Sequence, residues 1–301
     1  MKPKKVLIFG GAGFIGSYVV DELLRKNYSV VVADIHEEKY HHDVTFVKCD
    51  ITNREEIAKA ITQDVDIVYN FAGYANLDRA SHDPVPTIEL NILGNLYILE
   101  EIRKKRNVER YIYASSAYAM NDKGSFYGIS KLASEKMIDE YSNKFGIKYT
   151  ILRYGSVYSE RCFDNNYIYS LVRKVVESHK IVHEGDGNEI REYIHAADVA
   201  KMAVQVIESE DYVGQYIILT GVERMRRIEL FEMIEEILGE KIDIELKNTG
   251  YANHYKYSPY ALQAKMSRKM VSNSYIDIGQ GVLECIKQAK ADLEAENENQ
   301  Q

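Results

Sequence analysis

The sequence predicts an α/β fold, a doubly wound parallel sheet with a smaller, discontinuous C-terminal lobe. Three observations predict it. Short β-branched runs alternate with longer amphipathic stretches; the runs are too apolar for a sheet with one wet face; and a glycine-rich turn joins the first run to the first amphipathic stretch. In chain order the strand runs are VLIF (6–9), SVVVAD (29–34), VTFVKCD (44–50), DIVYNFAG (66–73), RYIYASS (110–116) and KYTILRY (148–154). Helical stretches at 14–26, 53–62, 84–106 and 126–145 separate them, so consecutive βαβ units cover both faces of the sheet. From Gly155 the rhythm loosens: YSERCFDNN and HEGDGNEIRE read as loops around a helix near 167–178. A helix near 196–209 and a strand near 216–219 return to the sheet. A helix at 228–238, the strand KIDIEL, a tyrosine-rich segment at 251–260 and a helix near 279–293 build the second lobe, and 294–301 reads as a frayed helix end or polar tail.

Composition narrows the function. With 301 residues, 46% hydrophobic and 28% charged, the chain is an ordinary soluble globular protein of one large domain or two smaller ones. Lys and Arg number 38 against 46 Asp and Glu, a net charge of -8, so no general positive field draws in nucleic acid or an anionic membrane. Any phosphate must be held by local groups. Cys49, Cys162 and Cys285 are odd in number and far apart, which argues against a disulfide framework or a zinc site and for a reducing, cytoplasmic location. The opening MKPKKVLIFGGAGFIGS is too broken by glycines for a signal peptide, and no window reaches the roughly 18 apolar residues of a membrane span.

Gly10, Gly13 and Gly16 form GxxGxxG between the first strand and the first helix, where helix amides are left to face a pyrophosphate in a Rossmann-like turn. Asp34 closes the second strand. A carboxylate there accepts the ribose hydroxyls of adenosine and repels a 2'-phosphate, which favours NAD over NADP; no basic residue follows it in Ile35, His36 and Glu37. The rival reading is an aspartate that starts a turn. Asp50 ends the third run within reach of the adenine edge, because capping the next helix falls to Thr52 or Asn53.

Tyr127 and Lys131 form YxxxK on the helix 126–145, one turn apart on one face. A nearby ammonium stabilises the phenolate, so Tyr127 suits acid/base work on a hydroxyl. In a chain with 24 tyrosines the spacing alone arises by chance; Ser116, at the carboxyl end of the preceding strand, gives it a partner for the same oxygen.

With these residues in place, the chain resembles the extended short-chain dehydrogenase/reductase family, in its sugar-nucleotide epimerase/dehydratase branch. The matching segments, in family order, are GGAGFIG (10–16), VVVADI (30–35), KCDIT (48–52), YNFAG (69–73), DPVPTIELNILGNLYILE (83–100), YIYASSA (111–117), YGISKLASE (127–135), ILRYGSVY (151–158) and GDGNEIREYIHAADVA (185–200). The resemblance implies that Ser116 and Tyr127 flank the reacting hydroxyl and that Lys131 holds the nicotinamide ribose. Phe14, Ile15, Ile51, Asn70, Phe71, Ala72 and Gly73 then line the cofactor and Asn91 braces the helix beneath. Ser156 contacts substrate and Arg191 holds its diphosphate, an ion pair of Arg191 with Glu189 or Glu192 being the rival. It further implies a homodimer through 84–106 and 126–145. The division becomes 1–159 plus about 193–220 for the NAD-binding domain, and 160–192 plus 221–293 for the substrate-binding lobe.

Four departures qualify the match. The 117–126 loop is short, Met120-Asn121 replaces Tyr-Gly, Ser156 replaces asparagine, and Ser159-Glu160 replaces Gly-Pro before Arg161. No Asp-Glu pair follows Ser116, which disfavours a 4,6-dehydratase. The expected function is NAD-dependent hydride transfer at C4 of a nucleoside-diphosphate sugar, 4-epimerisation first, with a 4-dehydrogenase or 4-keto-reductase as the alternative and a non-catalytic dinucleotide-binding regulator behind them. His179 and His183 are four apart but form no HExxH; His195 is expected to pack or hydrogen-bond at the lobe junction. Cys162 reads as a bystander, and 251–260 as lobe wall or packing.

Overall fold

A computed structural model of the chain describes residues 3–36, 44–120, 123–161, 163, 166–247, 268–271 and 274–298. Cys162, Asn121 and the tyrosine-rich 251–260 segment lie outside the described residues. The first part runs β1 (Lys5–Phe9), α1 (Phe14–Arg25), β2 (Ser29–Asp34), β3 (Thr45–Lys48), α2 (Arg54–Ala60), β4 (Ile67–Asn70), α3 (Leu77–His82) and α4 (Pro84–Ile88). A π-helical segment, Glu89–Gly94, leads into α5 (Asn95–Lys105), β5 (Arg110–Ser116), a 3-10 turn at Ala117–Met120, α6 (Ser125–Phe145) and β6 (Tyr149–Tyr154). The remainder comprises β7 (Ser156–Tyr158), α7 (Tyr167–Ser178), β8 (Lys180–His183), β9 (Ile190–Arg191), β10 (Tyr193–His195) and α8 (Ala196–Gln205). It closes with β11 (Gln215–Leu219), β12 (Met225–Arg226), α9 (Arg227–Leu238), β13 (Asp243–Leu246), β14 (Arg268–Met270) and α10 (Ile278–Glu298).

Eight strands form one sheet in the order β14-β11-β6-β5-β4-β1-β2-β3, and every pairing in it is parallel. The chain leaves β1 in one direction through β2 and β3, then returns to build β4, β5 and β6 on the other side. That reversal opens a crevice at the carboxyl ends of β1 and β4, where ligands of such sheets bind. Tyr18, Val19, Leu23, Val199 and Ala203 pack one face of the sheet. Ile57, Ile98, Leu99, Ile102 and Ile138 pack the other, so the strands are buried on both sides, as their unbroken apolar runs require. A separate core joins Tyr169, Val172, Phe231, Ile234, Val282 and Cys285 from α7, α9 and α10.

The structure corrects the sequence reading in two places. The 84–106 stretch is three pieces rather than one helix, because the chain widens into a π-helical turn at Glu89–Gly94. Arg268–Met270, expected in the lobe, pairs with β11 as an edge strand of the main sheet. Of the two readings of the stretch from 294, the helix end holds, since α10 continues to Glu298; its residues are good helix formers, and Arg173 ties Glu296 to α7 at 2.6 Å.

Candidate active site

The glycine turn after β1 is held by close backbone approach. Gly10 has φ +77°, and a Cβ there would collide with the backbone of Phe71 and Ala72. A Cβ on Gly16 would strike the Gly10 carbonyl oxygen. The turn closes with Gly13 N donating to Gly10 O at 3.1 Å. No side chain caps α1 at Gly13, so the first-turn amides open on the crevice. Asp34 anchors the opposite wall. Its Oδ2 accepts from Ala12 N at 3.0 Å and its Oδ1 from His36 N at 3.1 Å, so the turn-forming role holds and also fixes the carboxylate against the glycine loop. Asn53 caps α2 by accepting from Glu55 and Glu56 amides. Asp50 stays at the wall, its Oδ1 accepting from Thr52 N and Oγ1, each at 2.8 Å.

These groups line one cleft of about 550 Å³, within the roughly 300–1,000 Å³ of small-molecule and cofactor pockets. Gly10, Gly13, Phe14, Ile15, Gly16, Asp34, Asp50, Ile51, Phe71, Ala72, Gly73, Tyr127 and Lys131 all face it. The glycine cradle, the uncapped helix and a ribose-seeking carboxylate at one end fit a dinucleotide. Cys49, Leu90, Ala114, Ser115 and Tyr154 also line the cleft and were not expected there; for all but Leu90, which lies in the π-helical segment, a place near a strand end beside Asp50, Ser116 or Arg153 was the available signal.

At the other end stands Lys131, with Nζ donating to Ala114 O at 2.8 Å and lying 5.9 Å from the Tyr127 ring centre and 4.9 Å from that of Tyr113. Burial lowers its ammonium to about 8, against the opposing pull of Glu135. Asn91, in the π-helical segment, accepts from Tyr74 N at 2.7 Å and donates to Tyr74 O at 3.0 Å and Ser130 Oγ at 2.9 Å. Ser130 Oγ in turn donates to Tyr127 O at 2.8 Å. Asn91 thus ties the turn after β4 to the helix that carries Tyr127, the bracing the sequence assigns to it.

Glu135 lies one turn beyond Lys131 and is fully buried. Arg153 donates to it from Nε at 2.9 Å and Nη2 at 2.7 Å, and Ser115 Oγ donates at 2.6 Å. Its place in YxxxKxxxE, on the Tyr127–Lys131 face, is the sequence signal that marks this residue, which was not among the expected site residues.

Three expected substrate residues do not line the cleft: Ser116, Ser156 and Arg191. Successive side chains of a strand alternate, so at the end of β5 Ser115 takes the wall, and Ser116 Oγ accepts from Tyr118 N at 3.2 Å. Arg191, on β9, is buried and donates from Nη1 to Ile190 O at 2.9 Å. The carboxylates named as its rival partners are engaged elsewhere, Glu189 with His183 at 3.1 Å and Glu192 with Lys269 at 3.0 Å. His195 caps α8 through Nδ1 and meets Glu160 through Nε2 at 3.1 Å. Although burial pushes Glu160 up, hydrogen bonds from His195 and Tyr18 bring it down to about 2. Glu284 stands beside this pair, all three donor atoms lying within 4.8 Å of one another. Because Nδ1 accepts from Ala197 N, the ring proton sits on Nε2 and points at Glu160, which makes His195 and Glu160 a hydrogen-bonded pair with Glu284 beside it.

Residues 6–219 match the model of the NAD dependent epimerase/dehydratase family. A putative UDP-glucose 4-epimerase of Methanocaldococcus jannaschii is 31% identical over 255 residues, covering 78% of this chain and 82% of that protein. The crystal structure of a Thermus thermophilus UDP-glucose 4-epimerase in complex with NAD aligns with a TM-score of 0.79 at 25% identity, covering 95% of this chain and 99% of the other. A Bacillus cereus UDP-glucuronic acid 4-epimerase, in complex with UDP-glucuronic acid and NAD, aligns with a TM-score of 0.82 at 23% identity over 95% and 99%.

Proposed function

The chain belongs to the NAD-dependent epimerase/dehydratase family, and from that premise we propose that it is a 4-epimerase of a UDP-hexose. The observation that carries the reading is the single cleft joining the glycine cradle and Asp34 at one end to Tyr127 and Lys131 at the other. Bound NAD supplies a reversible hydride acceptor for the sugar C4. Tyr127 takes the O4 proton as that carbon is oxidised and returns it after the keto sugar has turned over. Lys131 holds the phenolate and the adjoining ribose through its ammonium. Although Ser116, Ser156 and Arg191 do not line the cleft, the family resemblance assigns Ser116 to the reacting oxygen, Arg191 to the diphosphate and Ser156 to the substrate. The absence of an Asp-Glu pair after Ser116 weighs against water loss across C5 and C6. The test is incubation with UDP-, GDP-, CDP- and dTDP-hexoses, following NADH absorbance while NMR resolves products. Axial-equatorial exchange at C4 with no net NADH supports the reading; stoichiometric NADH or a 6-deoxy-4-keto product overturns it.

We divide the chain into an NAD-binding part, 1–159 plus about 193–220 with the edge strand β14, and a substrate-binding part, 160–192 plus the rest of 221–293, supported by the separate core of α7, α9 and α10. Buried Cys49 and Cys285 are free thiols, which fits a reducing, cytoplasmic location. No helix among the described residues is long and apolar enough to cross a membrane.

NAD is expected to bind more tightly than NADP, since the fixed Asp34 carboxylate meets the 2' position. Calorimetric titration of both cofactors decides this: equal affinities would sink the assignment, and Asp34→Ala should erase much of the preference.

A homodimer is expected through α4, α5 and α6. Val85, Leu93, Phe126, Ile129 and Leu132 are left 63%, 36%, 38%, 60% and 42% exposed, and 126, 129 and 132 recur at helical spacing on α6. Light scattering should give about twice 34.6 kDa, and Ile129→Glu should yield monomer. A wild-type monomer at micromolar concentration refutes it.

A further inference from the structure

The short 117–126 loop leaves β5 directly for α6 with little chain between the two hydroxyls assigned to the reacting oxygen, Ser116 and Tyr127. Among the described residues of that connection, Tyr118 touches both ends. Tyr118 donates its backbone N–H to Ser116 Oγ at 3.2 Å. Its ring meets the Tyr127 ring edge-on, with centres 6.2 Å apart and planes at 68°. The space it occupies is made by two glycines that flank Tyr127. Gly124, with φ +102°, ends the loop, and a Cβ there would come within 2.8 Å of the Tyr118 ring. Gly128 sits one turn into α6, and a Cβ there would come within 3.0 Å of the Tyr118 carbonyl oxygen and 2.9 Å of that of Lys123. Any side chain at 124 or 128 therefore displaces Tyr118, and any smaller side chain at 118 leaves a gap against the Tyr127 ring.

We propose that Tyr118 is a positioning residue for the reaction: wedged between Gly124 and Gly128, it fixes the distance and orientation of the Tyr127 phenol relative to Ser116. This rests on the 4-epimerase reading above. Tyr127 is only partly buried, so its ring depends on such a neighbour for a single orientation. Edge-to-face aromatic pairs supply it with little loss of freedom. Proton transfer is steeply sensitive to placement, a shift of about 1 Å costing roughly a hundredfold in rate.

The test compares Tyr118→Ala, Tyr118→Leu and Tyr118→Phe with the wild type, measuring kcat and KM on UDP-glucose, NAD affinity by calorimetry and thermal midpoint. Tyr118→Ala and Tyr118→Leu should lose roughly ten- to a hundredfold in kcat, with NAD affinity unchanged. Tyr118→Phe, which keeps the ring, should restore most of the rate. Leucine keeps most of the apolar bulk, so a variant that folds with the wild-type midpoint and still loses kcat separates orientation from folding. The proposal is overturned if Tyr118→Leu retains wild-type kcat, if Tyr118→Phe is as slow as Tyr118→Ala, or if NAD affinity falls in step with the rate. A wild-type enzyme that turns over no nucleotide sugar removes the functional reading itself, a result distinguishable from any of these.

Discussion

Tyr127→Phe is expected to lower turnover by roughly 10²- to 10⁴-fold, the usual contribution of a general acid/base, while NAD affinity stays close to wild type. The substitution deletes one oxygen and leaves the ring that packs on Tyr118. Stopped-flow reduction of bound NAD by substrate, with calorimetry of NAD alone, separates the two effects; a variant retaining more than about a tenth of the rate takes the phenol out of the mechanism. The pH dependence follows from Lys131, which burial lowers to about 8 from 10.5. As pH rises through about 8 the free enzyme loses the ammonium that supports the phenolate, so kcat/KM should fall on that side. Stability moves the other way. The folded pKa lies below the unfolded one, so folding disfavours the charged lysine below about 8, and this penalty fades as pH climbs toward 10.5.

Glu135→Ala should be the most destabilising single change near the site. The carboxylate is 0% and Arg153 4% exposed, and their ion pair spans 2.7 Å. Removing one partner strands a buried guanidinium, a loss of about 3–5 kcal/mol. Denaturant unfolding monitored by circular dichroism should show it as a shifted midpoint at unchanged slope. A loss below about 1 kcal/mol, the range of exposed pairs, would falsify the view that this pair is shielded from water.

Much of the cofactor end was legible because its constraints are local. Gly10 and Gly16 have no room for a Cβ, Asp34 ends a strand beside them, and each leaves a fixed spacing in the sequence. The substrate end was less so. Whether Ser115 or Ser116 meets the cleft depends on where alternation stops at the end of β5, a matter of one residue. The π-helical turn at Glu89–Gly94 is invisible because one widened turn barely alters a hydrophobic period. Glu160 looked only like a departure from a loop motif, and its role needed His195 and Tyr18 brought from distant elements. The strand Arg268–Met270 is three residues long and carries no alternation of its own.

That last strand has a consequence for synthesis. The six strands from β1 to β6 can pair while the ribosome is still at work, since each partner has already emerged. Strand β11 must wait for the loops and helices after β6, and β14, which covers its free edge, emerges only after α9 and β13 have been made. Until then β11 exposes a row of unpaired amides and carbonyls on a nascent chain, the condition under which edges recruit wrong partners. The residues that shield it lie after α9, so a chain stopped at the end of that helix would carry the whole nucleotide cleft together with an open, adhesive edge.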